Sequence, residues 1–526
     1  MNKQSKIFIV GGGIASLSAA VYLIKDGGID GGQIKIFDEA KRMGGSLDAQ
    51  NLSDSDGYVM RGVRMFEEQA FSCTFDLLSA IPSLTAPGKT LREEFVEFNR
   101  ANKSYSKSRL LIDGEAIDSR PLKLSLGDRL KLVGLLFKSE SSLEDVAIRD
   151  YFSDPFFTSN FWYEFCTVFA FEPWHSAIEF KRYFKRFIQS FPNIDTLETI
   201  EISPHNQYES MVLPIMDWLK KRGVEFVSNT KIIDLKFIPD QDKKRVSRIN
   251  YERDGEVGVI TVAKNDYVFV TLGSIVSNTS LGLMTKAPIV NLNEKSGAWK
   301  LWENIAKNHP EFGRPSVFNS NVEKSRWTSF TITFRDPLFF NLIEKFVHKK
   351  VTSFGGVNLI NSNWLMSAVV TYKPYFINQP KEINLCWGFG LRSEEKGNFV
   401  NKKMSECTGV EILTELIHHL GFEEHLDAII EKAVCIPCTT PYITSHFLPR
   451  KISDRPLVVP KSSANFAFLG QYCEIPNDVV FTVEYSVRSA QTAVYSLLGL
   501  DKKVPPIYQG MHHAKVLFNA LKTICR

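Results

Sequence analysis

Lys6 to Glu39 reads as strand, glycine turn, helix and strand in direct succession, and few architectures accept that order. Ile7-Phe8-Ile9-Val10 is an unbroken apolar run of strand length, the pattern of a parallel strand covered on both faces. Gly11-Gly12-Gly13-Ile14-Ala15-Ser16 follows, after which Leu17, Ala20, Val21 and Ile24 recur at helical spacing until Gly27-Gly28. A second strand, Ile34-Lys35-Ile36-Phe37, ends at Asp38-Glu39. Within this unit Gly11-x-Gly13-x-x-Ser16 matches the dinucleotide fingerprint, with Ser in place of the third glycine. Gly11 permits the tight turn, Gly13 lets backbone approach a pyrophosphate on the helix N-terminus, and the third position needs only a small residue. Asp38 follows at the distance expected of a ribose-binding acid.

The remaining strand candidates are scattered: Gly223 to Phe226, Tyr267 to Gly273 and Phe466 to Gly470. Such dispersal predicts a nucleotide domain that is discontinuous in sequence, with the rest of the molecule built from the intervening segments. A chain of 526 residues has room for about three domains. Its 63 Lys and Arg against 59 Asp and Glu leave +4, which argues against a nucleic-acid partner, because dedicated binders concentrate positive charge. Eight cysteines without a dense framework indicate a reduced, cytoplasmic protein. Cys435 and Cys438 form a CxxC with no second pair or nearby histidines, so they read as structural and no metal site is expected. No apolar run reaches the roughly 18 residues of a membrane span. The 39 phenylalanines are the one compositional excess and suggest a pocket walled by aromatic rings.

Asp38 is followed by Arg42-Met43-Gly44-Gly45-Ser46-Leu47, and an acid followed by a Gly-Gly turn resembles the second motif of flavoproteins such as amine oxidases and phytoene desaturases. Near the C-terminus, Phe468-Leu469-Gly470-Gln471-Tyr472 and then Val479 to Gln491 resemble the matching strand, turn and helix. The resemblance implies FAD, held by Gly11, Gly13, Ser16, Asp38, Gly44, Gly45, Ser46, Arg61, Gly470 and Phe481. The implied fold is α/β, with a Rossmann-like FAD-binding domain made of 1–90, 200–300 and 430–500. A helical lid or substrate segment at 91–199, an inserted α+β substrate-binding domain at 301–429 and a helical tail at 501–526 complete it.

A narrower resemblance spans nearly the whole chain. Met60-Arg61-Gly62-Val63-Arg64-Met65-Phe66-Glu67, Asn160-Phe161-Trp162, Phe171-Glu172-Pro173-Trp174-His175, Glu179-Phe180-Lys181-Arg182-Tyr183, Asn206-Gln207-Tyr208-Glu209-Ser210 and Pro441-Tyr442-Ile443-Thr444-Ser445 are similar to oleate hydratases, the family formerly called myosin-cross-reactive antigens. Members add water across the cis double bond of an unsaturated fatty acid, giving 10-hydroxystearate from oleate, and use FAD without net redox change. By spacing alone Tyr183, on the stripe Phe180, Tyr183, Phe184, Phe187 and Phe191, reads as a core tyrosine. The resemblance implies instead that Tyr183 is the proton donor and that Gln207 and Tyr208 lie by the water or substrate.

Two positions depart from the family pattern. Where well-known hydratases carry a water-activating Glu, this chain has Met65, as a subgroup of the family does. A thioether cannot take up a proton at neutral pH, which leaves Glu67 and Glu68 as candidates. Where many members anchor the substrate carboxylate with Thr, Asn and His, this chain has Val369, Thr371 and Tyr375, with Lys373 nearby. The tail from His512 to Arg526 places Ala514, Leu517, Phe518, Leu521 and Ile524 on one face, with Lys515, Lys522 and Arg526 elsewhere. Such a helix can lie peripherally on an anionic membrane or pack on the body by the same face. A monomer is expected rather than a homodimer, because the chain starts only a few residues before its first strand, whereas many dimeric hydratases carry a longer N-terminal extension. The competing readings are a redox flavoprotein of amine oxidase or desaturase type and a non-catalytic lipid-binding flavoprotein.

Overall fold

The computed structural model describes residues 5–53, 56–106, 109–346 and 355–524. Its first sheet is fully parallel, with strands in the order Phe466–Leu469, Tyr267–Thr271, Ile7–Val10, Ile34–Phe37 and Glu225–Val227. Neighbours in space lie up to 260 positions apart in sequence, as Ile7 and Tyr267 do, in keeping with the scattered strand candidates. Ile7–Val10 is buried along its whole length, which is why its sequence is apolar without alternation. The helix Ile14–Lys25 is buried at ten of its twelve positions because it is sandwiched between this sheet and the helix Val483–Leu497. Gly13 caps it without a side-chain hydrogen bond, so its first N–H groups face the groove above the strand ends. The C-terminal helix begins at Val483 rather than Val479, because the Thr482 hydroxyl caps it by accepting from Tyr485 N at 3.2 Å.

A second sheet is mostly antiparallel and has eight strands: Ser280–Leu281, Ala433–Thr440, Trp327–Phe334, Asn384–Gly390, Met366–Val370, Gly355–Leu359, Leu110–Ile112 and Glu115–Ala116. Alternation gives its two faces different tasks. Phe330, Ile332, Met366, Ala368 and Cys386 face a core shared with the helix Gly409–His419. Trp327, Ser367, Val369, Trp387 and Phe389 face the opposite way, into a cavity. Cys435 and Cys438 lie within one of these strands as buried free thiols. A separate antiparallel meander, Lys231–Asp240, Lys243–Arg253 and Glu256–Thr261, completes the sheets relevant here.

Helices Asn160–Phe169 and Ala177–Arg186 roof the cavity. The second carries the aromatic stripe but stops at Arg186, and a 3₁₀ segment, Ile188–Asn193, takes over around Pro192, which has no N–H to donate. The stripe survives the change, with the rings of Phe184 and Phe191 5.0 Å apart. The tail forms a helix, Ala514–Ile524, that packs on this 3₁₀ segment through Ala520 and Ile524. Phe518 and the lysines Lys515 and Lys522 are exposed, and Arg526 lies outside the described residues. No helix among the described residues is long and apolar enough to cross a membrane.

Candidate active site

Two cavities flank the segment 61–64, one with Arg61 in its lining and the other with Val63 and Arg64. The first is a groove of about 490 Å³ lined by Gly11 to Gly13, Asp38, Gly45, Ser46, Arg61 and Gly470. At Gly11, φ is +98° and a Cβ would stand 2.9 Å from Thr271 Oγ1, so both backbone and neighbour demand glycine. Gly13 differs, since a Cβ there would meet no protein atom within 4 Å and would project into the groove. That cradle, formed by bare backbone at a helix N-terminus, suits a pyrophosphate. Gly44 N donates to Gly12 O at 2.9 Å, which folds the second glycine turn directly onto the first. Ser16 is fully buried, with its hydroxyl 3.1 Å from that of Thr271, and serves helix packing rather than ligand contact.

The groove's polar groups complete the picture. Asp38 accepts hydrogen bonds from Gly12 N and from Ala40 N, the latter at 2.7 Å. Burial of the carboxylate pushes its pKa up to about 6 against those bonds. Arg61 Nε and Nη1 are buried without a hydrogen-bond partner, and its nearest acid, Asp48, is 3.8 Å away and shared with Arg42 at 3.2 Å. A guanidinium left with open donors beside a helix N-terminus fits an anionic diphosphate. Nothing in this lining conflicts with FAD.

The second cavity is apolar and aromatic. Met65, Phe169, Tyr183, Val369, Trp387 and Phe481 all line it. Tyr183 is 2% exposed, its ring flanked by Phe169 and Phe171 at centroid distances of 5.1 and 5.2 Å. Its oxygen accepts a hydrogen bond from Phe481 N at 3.0 Å, and no described acceptor takes its own proton. Burial holds the hydroxyl well above the usual tyrosine range, hence protonated.

Of the other residues singled out by sequence, Gln207, Tyr208, Thr371, Lys373, Tyr375 and Glu68 lie outside this lining. Gln207 is buried and donates to Ser203 Oγ at 3.1 Å and to the Tyr375 hydroxyl at 3.3 Å. Thr371 spends its hydroxyl on Leu385 O at 3.1 Å, and Lys373 binds Asn384 Oδ1 at 3.0 Å. The Tyr208 ring lies 3.7 Å under the Arg42 guanidinium and backs the Gly44 turn, where a Cβ would come within 3.1 Å of it. Tyr208 therefore supports the cofactor groove. Glu68 pairs with Arg92 at the surface at 2.8 Å, whereas Glu67 lines the cavity, its carboxylate accepting from Gln189 Nε2 at 3.0 and 3.1 Å.

Sequence reading passed over Arg64, whose guanidinium joins the two cavities by donating to Ser46 O at 3.0 Å and lying 5.8 Å from the Phe481 ring centroid. Burial lowers its pKa to about 10. Its position inside the motif with Met65 was the available signal. Trp387 and Phe389 were equally missed, although their alternation around Gly388 marks a strand with one aromatic face.

The chain is 37% identical to an oleate hydratase of Streptococcus pyogenes serotype M49 (strain NZ131), over 98% of this chain and 89% of the relative. It is 32% identical to a linoleate hydratase of Lactiplantibacillus plantarum, over 94% of each. Among solved structures it is similar to a cyclohexylamine oxidase from Brevibacterium oxydans IH-35A, with a TM-score of 0.52, 11% identity and coverage of 94% of this chain and 99% of that one. A putrescine oxidase bound to putrescine gives a TM-score of 0.53, 12% identity and the same coverage. At such identities the likeness to the oxidases is one of fold. The model of the MCRA family matches residues 4–495, nearly the whole length, and the chain belongs to that family.

Proposed function

We propose that this protein is an FAD-dependent hydratase that adds water across a cis double bond of an unsaturated fatty acid such as oleate, giving a hydroxy fatty acid of the 10-hydroxystearate type. The observation that carries the reading is the Tyr183 hydroxyl, protonated in an aromatic cavity with a backbone N–H behind it. Tyr183 gives its proton to one alkene carbon, a water oxygen bonds to the other, and the proton that water loses to a base equals the one the tyrosine must regain, so no net proton is consumed. As the phenol oxygen gains charge, the Phe481 N–H stabilises it, as an oxyanion donor does. The groove would hold FAD through the bare backbone of Gly11 to Gly13, the donors of Arg61 and the carboxylate of Asp38. Bound FAD undergoes no net redox change, because hydration leaves the substrate's overall oxidation level unaltered. Incubation with FAD and oleate in oxygen-18 water, read by mass spectrometry, tests the reading. One incorporated water without stoichiometric flavin turnover is expected. Reduced flavin or peroxide with an oxidised product would make the protein a redox flavoprotein, and bound but unchanged oleate a lipid carrier.

Water activation falls in this reading to Glu67, the carboxylate that lines the cavity two residues after Met65. Burial raises its pKa, which makes this carboxylate a stronger base than an exposed glutamate. Glu67→Gln should lower kcat by about a hundredfold, the low end of what a positioned base contributes, and an unchanged kcat would remove Glu67 from the mechanism. The carboxylate anchor is proposed at Thr371 and Tyr375, beyond Val369 of the cavity lining, with Gln207 bound to the Tyr375 hydroxyl. Asp38 makes FAD binding depend on pH. Its carboxyl takes up a proton as pH falls through about 6, so FAD affinity should weaken there. Asp38→Asn should flatten that dependence in a fluorescence titration. The tail offers a membrane contact through Phe518, Lys515 and Lys522. Vesicle co-sedimentation undiminished by deletion of 512–526 would end that proposal.

A further inference from the structure

At one end of the eight-strand sheet lies a cleft of about 690 Å³ that shares no lining residue with the aromatic cavity or the cofactor groove. Its walls are the turns after Gly355–Leu359 and Asn384–Gly390, the approach to Trp327–Phe334, and the loop 172–174. The rim is charged and exposed, with Arg149, Glu323 and Glu395. The floor is polar and buried, with Glu172, Ser362 and Ser393 exposed by only 3%, 3% and 1%. Both Glu172 oxygens and both serine hydroxyls have no hydrogen-bond partner among the described residues, and neither do Asn361 Oδ1 and Arg326 Nε in the same lining. The cation facing Glu172, Arg392, keeps its Nε 3.7 Å away, beyond hydrogen-bond reach. Each unmet buried polar group costs about 1 to 3 kcal/mol. Folded proteins keep few of them, so six such atoms around one cleft point to a polar molecule held among them.

The unmatched atoms describe that molecule. Glu172 Oε1 and Oε2 and Asn361 Oδ1 ask for donors, Arg326 Nε asks for an acceptor, and the hydroxyls of Ser362 and Ser393 take either. A hydroxyl both donates and accepts, so neighbouring hydroxyls on one carbon frame satisfy the whole set. Charge disfavours an ion. Glu172 faces Arg392 and Arg326 pairs with Glu394 at 3.1 Å, so carboxylates and guanidinium groups already offset one another, and an anion or a cation would add an unmatched charge. Trp174, its indole N–H held by Lys324 O at 2.9 Å, adds a fixed aromatic ring to the wall, a surface for the C–H groups of a sugar. We infer that this cleft is a binding site for a neutral sugar, separate from the fatty acid cavity. Glu172 and Asn361 accept from sugar hydroxyls, Arg326 donates to one, and Ser362 and Ser393 complete the network. A free monosaccharide and the headgroup of a glycolipid share this chemistry.

Saturation-transfer NMR and calorimetry on the FAD-loaded protein read binding without turnover, so the test stands whatever the outcome for hydration. Of methyl glucoside and methyl galactoside, at least one should bind saturably, and glucose 6-phosphate more weakly. Glu172→Gln replaces an acceptor oxygen by an amide NH2 and should weaken binding by about tenfold to a hundredfold, the loss of a hydrogen bond to a charged group. Ser393→Ala keeps the Glu172 and Arg392 pair and removes a hydroxyl with no partner in the protein, so it should weaken binding by about threefold to tenfold at unchanged FAD content and thermal midpoint. Vesicles carrying monogalactosyl diacylglycerol, sedimented beside vesicles of phosphatidylcholine alone, separate the two sources. Extra binding that Ser393→Ala reduces, without binding of either methyl glycoside, assigns the site to a lipid-borne sugar. Absence of binding to all of these sugars would leave the cleft to water and overturn the assignment. Tighter binding of glucose 6-phosphate, or affinities unchanged in the variants, would overturn it as well.

Discussion

Tyr183→Phe should lower the rate of oleate hydration by about 10² to 10⁴-fold, the range over which a positioned general acid contributes, while leaving FAD content unchanged. The substitution removes one oxygen from a ring that keeps its contacts with Phe169, Phe171 and Phe447. It also leaves Phe481 N without its acceptor, which costs about 1 to 3 kcal/mol for a buried donor. A modest loss of stability therefore accompanies a large loss of rate, and the two are separable by measuring flavin absorbance and thermal unfolding beside product formation. The raised pKa adds a second signature. Tyr183 stays protonated into alkaline solution, so the rate should not decline between pH 7 and 9 through loss of the acid. Full activity in the variant, or a decline tied to tyrosine ionisation in that range, would refute the assignment.

What the sequence disclosed follows from how locally each feature is encoded. The βαβ unit was legible because Ile7 to Val10 is apolar throughout and the glycine turn follows it directly in sequence. The aromatic stripe was legible too, since Phe180, Tyr183 and Phe184 share one helix face. Its continuation past Arg186 was not, because only the turn around Pro192 decides where the helix yields to 3₁₀ geometry. Assembly of the cavity was least legible. Tyr183 meets Phe481 across nearly three hundred residues, and the Asn358 amide meets Arg109 only because their strands pair in parallel. Such contacts are fixed by register, which leaves no trace in either strand read alone. The same holds for Tyr208, which adjoins Gln207 in sequence yet stacks beneath Arg42 in the cofactor groove.

The second large effect lies one helical turn from Tyr183. Glu179 is fully buried and accepts from Arg450 Nε at 2.9 Å, with Arg450 Nη2 and Arg455 Nη1 in ion-pair contact at 2.8 and 3.0 Å. Arg450 also reaches Glu474 at 3.0 Å, and Arg182 joins Glu474 to Glu140 at 2.6 and 2.7 Å. Three carboxylates and three guanidinium groups thus balance inside the protein, and removing one carboxylate strands a positive charge there. Glu179→Gln should cost roughly 3 to 5 kcal/mol of stability, read as a lowered denaturant midpoint. Burial pushes the Glu179 pKa up, but the facing Arg455, Arg450 and Arg182 outweigh it and hold the carboxyl below its usual range. A depressed folded pKa contributes stability that is present above the unfolded value of 4.5 and is lost as pH falls through the lower folded one. The gap between wild type and variant should therefore narrow in acid. The network ties the helix bearing Tyr183 to the chain at 450–455 and 474, next to the Gly470 turn of the cofactor groove. Flavin retention should consequently fall with stability in Glu179→Gln, whereas Tyr183→Phe keeps its flavin. An unchanged midpoint in Glu179→Gln would show that the pair cluster does not hold the helix in place.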